Sequence, residues 1–282
     1  MGEKKENVMR AKVILMCVIL FSMSMNTWAI IGPPTAGLEQ GQFGIGYNYT
    51  YSDMDLDDTD VCSTYWVDSV VVEDGTEEFE ITDFTTQRHY ASIHYGATDQ
   101  WEAYFQIGIA DLKTKTGAKA DDVSMGWNLD NDMAWGFGTK YTFSEENGTS
   151  WGITAQMNWL DTSSDKAFSE DEGGTTYTGT IDVDIETYDL LIAVGPTVDM
   201  GGWSLYGGPF YYMLDGELES CASATGGGSI LEIEADGDLE EASCFGGFVG
   251  MQCTLMDKYN MTSEISFTGD GWAIGAGIAL PF

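Results

Sequence analysis

The chain has 282 residues and a formal net charge of −35, with 46 acidic side chains against 11 basic ones. So large an acidic excess argues against nucleic acid and anionic headgroups as partners. With an N-terminal leader set aside, about 250 residues remain, enough for one large β domain or two ordinary ones.

Lys4, Lys5, Arg10 and Lys12 precede an apolar run at 13 to 21 and a polar stretch ending at Ala29, the order of a secretory signal peptide. The run falls short of the roughly 20 residues a spanning helix needs, and Thr27 and Ala29 supply small residues for cleavage. Residues 1–29 are therefore read as a signal peptide, 30–41 as a periplasmic N-terminal tail and 42–282 as one domain. Cys17, preceded by Met16 and followed by more apolar residues, reads as part of the leader and not as a lipid anchor. Export leaves Cys62, Cys221, Cys244 and Cys253 in a compartment that permits disulfides. Cys221 and Cys244 flank one long connection and could close it, with Cys62 as the competing partner, while Cys253 reads as a small hydrophobe. No CxxC pair or His-rich spacing supports a zinc site.

Past residue 29 no apolar stretch is long enough to span as a helix, but aromatic and β-branched residues recur in segments of about ten, the length of a strand crossing a bilayer. The pattern predicts strands at 42–52, 84–96, 101–112, 134–143, 151–160, 185–198, 203–214, 244–255, 259–268 and 271–282. Connections alternate between short (97–100, 144–150, 199–202, 256–258) and mostly long (53–83, 113–133, 161–184, 215–243), with only 269–270 short on the second side. That asymmetry predicts an all-β, up-and-down antiparallel transmembrane barrel of about ten strands with long acidic external loops.

Aromatics mark both ends of these segments. Trp101, Trp151, Trp203 and Tyr259 open strands after short turns, and Tyr95, Phe143 and Phe282 close strands on the same side. Even spacing links Phe43 to Tyr51, Trp135 to Phe143, Trp151 to Trp159, Trp203 to Tyr211, Tyr259 to Phe267 and Trp272 to Phe282, each pair on one strand face. Eight tilted steps rise about 20 Å, near the apolar band of roughly 25 Å on such barrels. Parity alone leaves open which face is outward. The paired aromatic rings favour a barrel in lipid over a secreted β-sandwich.

On the opposite parity lie Arg88, Ser92, His94, Glu102, Gln106, Lys140, Gln156, Asp189, Gln252 and Glu264, a lumen with both signs of charge. Paired charges of this kind predict a salt-bridged plug and a narrow or closed pore. His89 and His94 differ in parity and face opposite sides, and no serine and carboxylate spacing marks a triad with His94, so the pattern predicts a non-enzyme. Asn147-Gly148-Thr149 matches a glycosylation sequon but sits in a short turn and reads as turn chemistry.

The last strand, GWAIGAGIALPF, with Phe282, Leu280, Ile278 and Ile274, resembles the ending of small outer-membrane β-barrels of the OmpA-like and opacity-type superfamily. The resemblance implies outer-membrane lipid and lipopolysaccharide as surroundings and recognition of the final strand by the barrel assembly machinery. No cofactor is implied.

Asp74-Gly75 and Asp236-Gly237 each read as a hairpin tip, so two loops are expected to project as β-arms able to meet a surface partner. Asp53, Asp55 and Asp57 alternate as calcium ligands do, yet the glycine and distant glutamate of a calcium loop are missing, and a solvated acidic loop is the expectation. The functional expectation is a narrow, cation-favouring porin-like channel or a passive structural surface protein. The alternative is a surface adhesin using the acidic loops, and a lipid-modifying barrel enzyme is third.

Overall fold

Alternation of side chains about a pleated backbone dictates the architecture. On the segment around Gln156, the side chains of Thr154, Gln156, Asn158 and Leu160 are buried while Trp151 and Ile153 are exposed, which gives one strand two chemically distinct faces. A computed structural model describes residues 31–118, 123–172, 175–226, 228–242, 244–256 and 258–282; the expected leader lies outside the described residues. Among the described residues every regular element is a strand: β1 (Phe43–Met54), β2 (Thr59–Val67), β3 (Val70–Thr98), β4 (Trp101–Ala118), β5 (Val123–Glu146), β6 (Thr149–Glu172), β7 (Thr175–Asp199), β8 (Trp203–Gly226), β9 (Ser229–Glu240), β10 (Phe245–Leu255), β11 (Tyr259–Phe267) and β12 (Gly271–Pro281).

All pairings are antiparallel, and they close. Strands β1, β3, β4, β5, β6, β7, β8, β10, β11 and β12 form a complete circuit, sealed where β1 meets both β12 and β3. Phe43 and Phe282 exchange reciprocal backbone hydrogen bonds of 3.1 and 2.8 Å at the seam. The short connections are tight turns; Asn147 and Gly148, at φ of 51° and 78°, form the two-residue type that matches strand twist.

Most of the connections expected as long loops are instead continuing strand. β3 to β8 run far past the predicted ends, and β2 and β9 are further strands that pair with each other, with β2 also on β3 and β9 also on β8. By adjacency, β2 to β9 form a second circuit stacked on the first and sharing six of its strands. The expected hairpin tips are displaced. Asp74 and Gly75 lie within β3, and the turn falls at Asp68 and Ser69, both at positive φ (50° and 66°). Asp236 and Gly237 lie within β9, and the hairpin instead reverses between Gly226 and Ser229. Asp68 holds its own turn in place, its carboxylate accepting from Ile230 N at 3.0 Å and Ser229 Oγ at 3.3 Å.

The polarity of the strand faces inverts between the two circuits. Along β6 the outward series runs Trp151, Ile153, Ala155, Met157, Trp159 and then Asp161, Ser163, Asp165. On β7 it changes from Tyr188 to Glu186, and on β8 from Met213 to Asp215. Register aligns these changes on β6 and β7, with Trp159 opposite Tyr188 and Asp161 opposite Glu186, and on β8 the change comes one row earlier, with Asp215 opposite Tyr188 and Glu217 opposite Glu186. Inside, the order is reversed: Gln156, Asn158 and Asp189 give way to Leu160, Val183, Ile185 and Leu214.

Residues 31–38, the first part of the segment read as a tail, precede β1. They turn back at Glu39–Gln42 and enter the lumen, where Ile31 is 3% exposed. Buried carboxylates facing the lumen offer backbone amides acceptors that the apolar outer wall does not, which is why the segment is held inside.

Candidate functional site

The lumen is filled in three layers. At the short-turn end sits the inserted segment. Ile31 N and Gly32 N donate to the two carboxylate oxygens of Glu264 at 3.0 and 2.9 Å, and Gly37 N donates to Glu102 Oε2 at 2.8 Å. Ala36 N donates to Thr142 Oγ1 at 3.0 Å, and Lys140 Nζ donates to Pro33 O at 2.9 Å. Gly152 lets the segment approach the wall, since a Cβ there would lie 2.4 Å from Pro34 O.

The middle layer is a polar network. Arg88 Nη1 donates to Asp189 Oδ2 at 2.5 Å, Asn158 Nδ2 to Asp189 Oδ1 at 2.6 Å, and Gln106 Nε2 to Asn158 Oδ1 at 2.6 Å. Tyr104 OH donates to Gln156 Oε1 at 2.7 Å. Buried charge is tolerated here because each group meets a partner of opposite charge or a hydrogen-bonding amide. Above it Phe84, Leu112, Leu160, Ile185, Leu214 and Leu239, none more than 3% exposed, belong to one apolar core.

Thus Arg88, Glu102, Gln106, Gln156, Asp189 and Glu264 are buried lumen groups, and His94, Lys140 and Gln252 line a lumen cavity of about 610 Å³. That cavity extends to the short-turn end, where Gly148, Asp199 and Gly202 border it. The aromatic residues Trp101, Trp135, Phe143, Trp151, Phe267, Trp272 and Phe282 are exposed on the outer wall, with Trp159, Trp203 and Tyr259 partly covered. Trp135 stacks on Trp159 with ring centroids 4.4 Å apart, and Phe43 contacts Tyr95 at 5.0 Å, so the two aromatic zones are packed as well as aligned.

Sequence spacing missed one constellation. His94 Nδ1 lies 2.7 Å from Glu102 Oε1, and His94 Nε2 lies 2.9 Å from Ser92 Oγ. Ser92 and His94 share a face by two-residue spacing, but Glu102 arrives from the next strand. The β3–β4 turn is tight, and an extra residue between Gly96 and Thr98 sets Glu102 opposite Gly96, diagonal to His94. The signal was the turn length and bulge, which linear spacing does not display. His89 faces the other way, its Nδ1 2.7 Å from Tyr47 OH.

Cys221 and Cys244, which could have closed one loop, are not joined in the structure, and Cys62 is unpaired there as well. Tyr212 N bonds Cys244 O at 2.7 Å, so Cys244 sits at the level of Tyr212. Cys221 lies nine residues farther along β8, about 30 Å, whereas a disulfide needs Cα atoms within about 7 Å. Strand continuation through the expected loop is what separates them.

Outward rows of carboxylates cover the upper circuit. Asp184, Glu219 and Asp236 stand in register on β7, β8 and β9, as do Glu186, Glu217 and Asp238. Cys62 and Cys221 interrupt these rows, opposite Asp236 and Glu234.

No protein-family model and no curated protein sequence matches the chain. Among solved structures it is similar to the outer membrane protein OprG from Pseudomonas aeruginosa, at 12% identity and a TM-score of 0.39, covering 87% of this chain and 98% of that one. It is similar to the outer membrane protease OmpT from Escherichia coli at 7% identity and a TM-score of 0.43, covering 85% and 97%. It is also similar to Ail, the attachment invasion locus protein of Yersinia pestis, at 14% identity and a TM-score of 0.26, covering 86% and 99%. The closed circuit of pairings in this chain, and not these slight likenesses, establishes the barrel.

Proposed function

We propose that the chain is an outer-membrane barrel whose ten-strand circuit spans the lipid as a closed anchor, while the upper circuit stands outside as a rigid acidic projection. The observation that carries this reading is the one-row inversion of face polarity at Trp159/Asp161 and Tyr188/Glu186. Below that row, exposed Ile93, Phe105, Ile107, Phe137 and Ile153 clothe the outer wall, an apolar surface far larger than a protein in water exposes. Above it carboxylates face out and aliphatics face in, as solvent requires. A hydrocarbon slab ending at that row accounts for both halves. Lipid and lipopolysaccharide are then the surroundings of the wall, and the β12 seam at Phe282 is the edge offered to the assembly machinery.

The three filled layers favour an anchor over a cation-favouring channel, because an ion crossing the lumen would meet the layer of Phe84, Leu112 and Leu214 without a polar partner. The projection suits recognition of a surface partner of opposite charge. Planar-bilayer recording tests the closed anchor: the purified barrel should give no stable conductance steps, and large cation-selective steps would overturn it. Deleting residues 55–82 should leave heat-modifiable gel migration intact while abolishing partner or cell binding.

A further inference from the structure

We propose that Ser92, His94 and Glu102 form an acyl-transfer site in the periplasmic half of the lumen, acting on a small carboxylic ester that enters from the periplasmic mouth. The atoms are ordered as such chemistry requires. Glu102 accepts at 2.7 Å from His94 Nδ1, which fixes the tautomer and leaves the Nε2 lone pair facing the Ser92 hydroxyl at 2.9 Å. The carboxylate is held from behind by Gly37 N at 2.8 Å, and the imidazole is stacked on Tyr104 with centroids 5.1 Å apart at 24°.

Beside the nucleophile β1 has room for glycine alone. Gly44 and Gly46 stand opposite His94 and Ser92 on β1, and a Cβ on Gly46 would lie 2.6 Å from Ser92 Oγ and 3.5 Å from His94 Nε2. Gly44, Gly46, His94 and Glu102 all line the cavity of about 610 Å³, a size suited to a small organic ligand. Asn48, the next inward residue on β1, lines the same cavity and carries the amide assigned here to the developing oxyanion. Gln106 is the other amide beside Ser92, but it is committed to Asn158.

In the reaction Ser92 Oγ bonds to the ester carbonyl carbon while its proton passes to His94 Nε2. The ester C–O bond then breaks, the alcohol leaves with that proton, and water, deprotonated by His94, releases the acid and restores the serine. Ser92 and His94 are the catalytic residues; Glu102 is a positioning residue.

The test is labelling of the detergent-folded barrel with a short-chain fluorophosphonate, which loses fluoride as Ser92 Oγ bonds to phosphorus. Mass mapping should place the label on Ser92, and Ser92→Ala or His94→Ala should lower the labelling rate by about 100-fold or more. Glu102→Gln should lower kcat for p-nitrophenyl acetate with KM unchanged, and Glu102→Asp should restore part of it. Leu38→Ala widens the cavity beside His94 and should speed labelling by easing entry of the probe. No label on Ser92 in either the unmodified or the Leu38→Ala barrel, both migrating as folded, would show the three residues to be a static hydrogen-bond network. Because the mapped position in the unmodified chain decides the matter, a variant that fails to fold leaves the conclusion intact.

Discussion

Cys221 stands in an outward row between Asp182 and Glu234. Partial burial pushes its thiol above the ordinary range, and Glu234, Asp182, Glu219 and Asp184 push it further in the same direction. A raised thiol carries less thiolate at neutral pH, and thiolate is the reactive form. Alkylation of Cys221 at pH 7 should therefore be slower than that of an ordinary exposed cysteine and should rise with pH into the alkaline range. Glu234→Gln should speed it at fixed pH, and a rate indifferent to that change would remove the electrostatic explanation. Arg88 and Asp189 pose the opposite case, a buried pair whose members depend on each other. Asp189→Ala strands the guanidinium in the lumen and should cost about 3–5 kcal/mol, read as a lowered urea midpoint in detergent. Replacing both members with Met and Leu should cost markedly less, because no charge is then left unpaired.

At the scale of elements, the strands of the ten-strand circuit were legible because their rule is simple: large apolar residues recur every second position between aromatics, as at Trp151 to Trp159. The outer strands obey the inverse rule, carboxylates outward at Asp182, Asp184 and Glu186 with Val183 and Ile185 inward, and their acidity reads as loop when one polarity is expected throughout. Asp-Gly pairs misled for a related reason. A turn can form wherever two residues accept positive φ, and Asp68-Ser69 does so because Ile230 N and Ser229 Oγ bind its carboxylate across the sheet, contacts between residues 162 and 161 positions apart that no local motif reveals. The candidate site was legible residue by residue as inward parity, but not as a constellation. The inserted segment was hidden entirely, since nothing local in 31–38 shows that Glu264 and Glu102 will accept its amides. That segment yields its own prediction. Deleting residues 31–38 leaves those carboxylates without their backbone donors and should lower the temperature at which the folded gel band disappears. Conductance should stay absent, because the apolar layer above is untouched; channel steps in the deletion alone would make the segment a gate.

For the molecule as a whole, the two circuits should respond differently to salt. In the upper circuit Asp184, Glu219 and Asp236 oppose one another directly across neighbouring strands, an arrangement that weakens pairing. The Debye length is about 10 Å at 0.1 M and about 30 Å at 0.01 M, so rows a strand spacing apart repel collectively in dilute buffer and much less at physiological strength. In the ten-strand circuit Arg88 meets Asp189 and His94 meets Glu102 inside the lumen, and the outer wall around Ile93, Phe105, Ile107, Phe137 and Ile153 is apolar, leaving little for mobile ions to screen. Amide hydrogens of 217–238 should therefore exchange faster at about 0.01 M than at about 0.15 M salt, while those of 102–109 and 151–158 remain unchanged. Equal salt response in both regions would mean that the carboxylate rows do not govern the stability of the projection, and a cationic partner would then have no repulsion to relieve on binding.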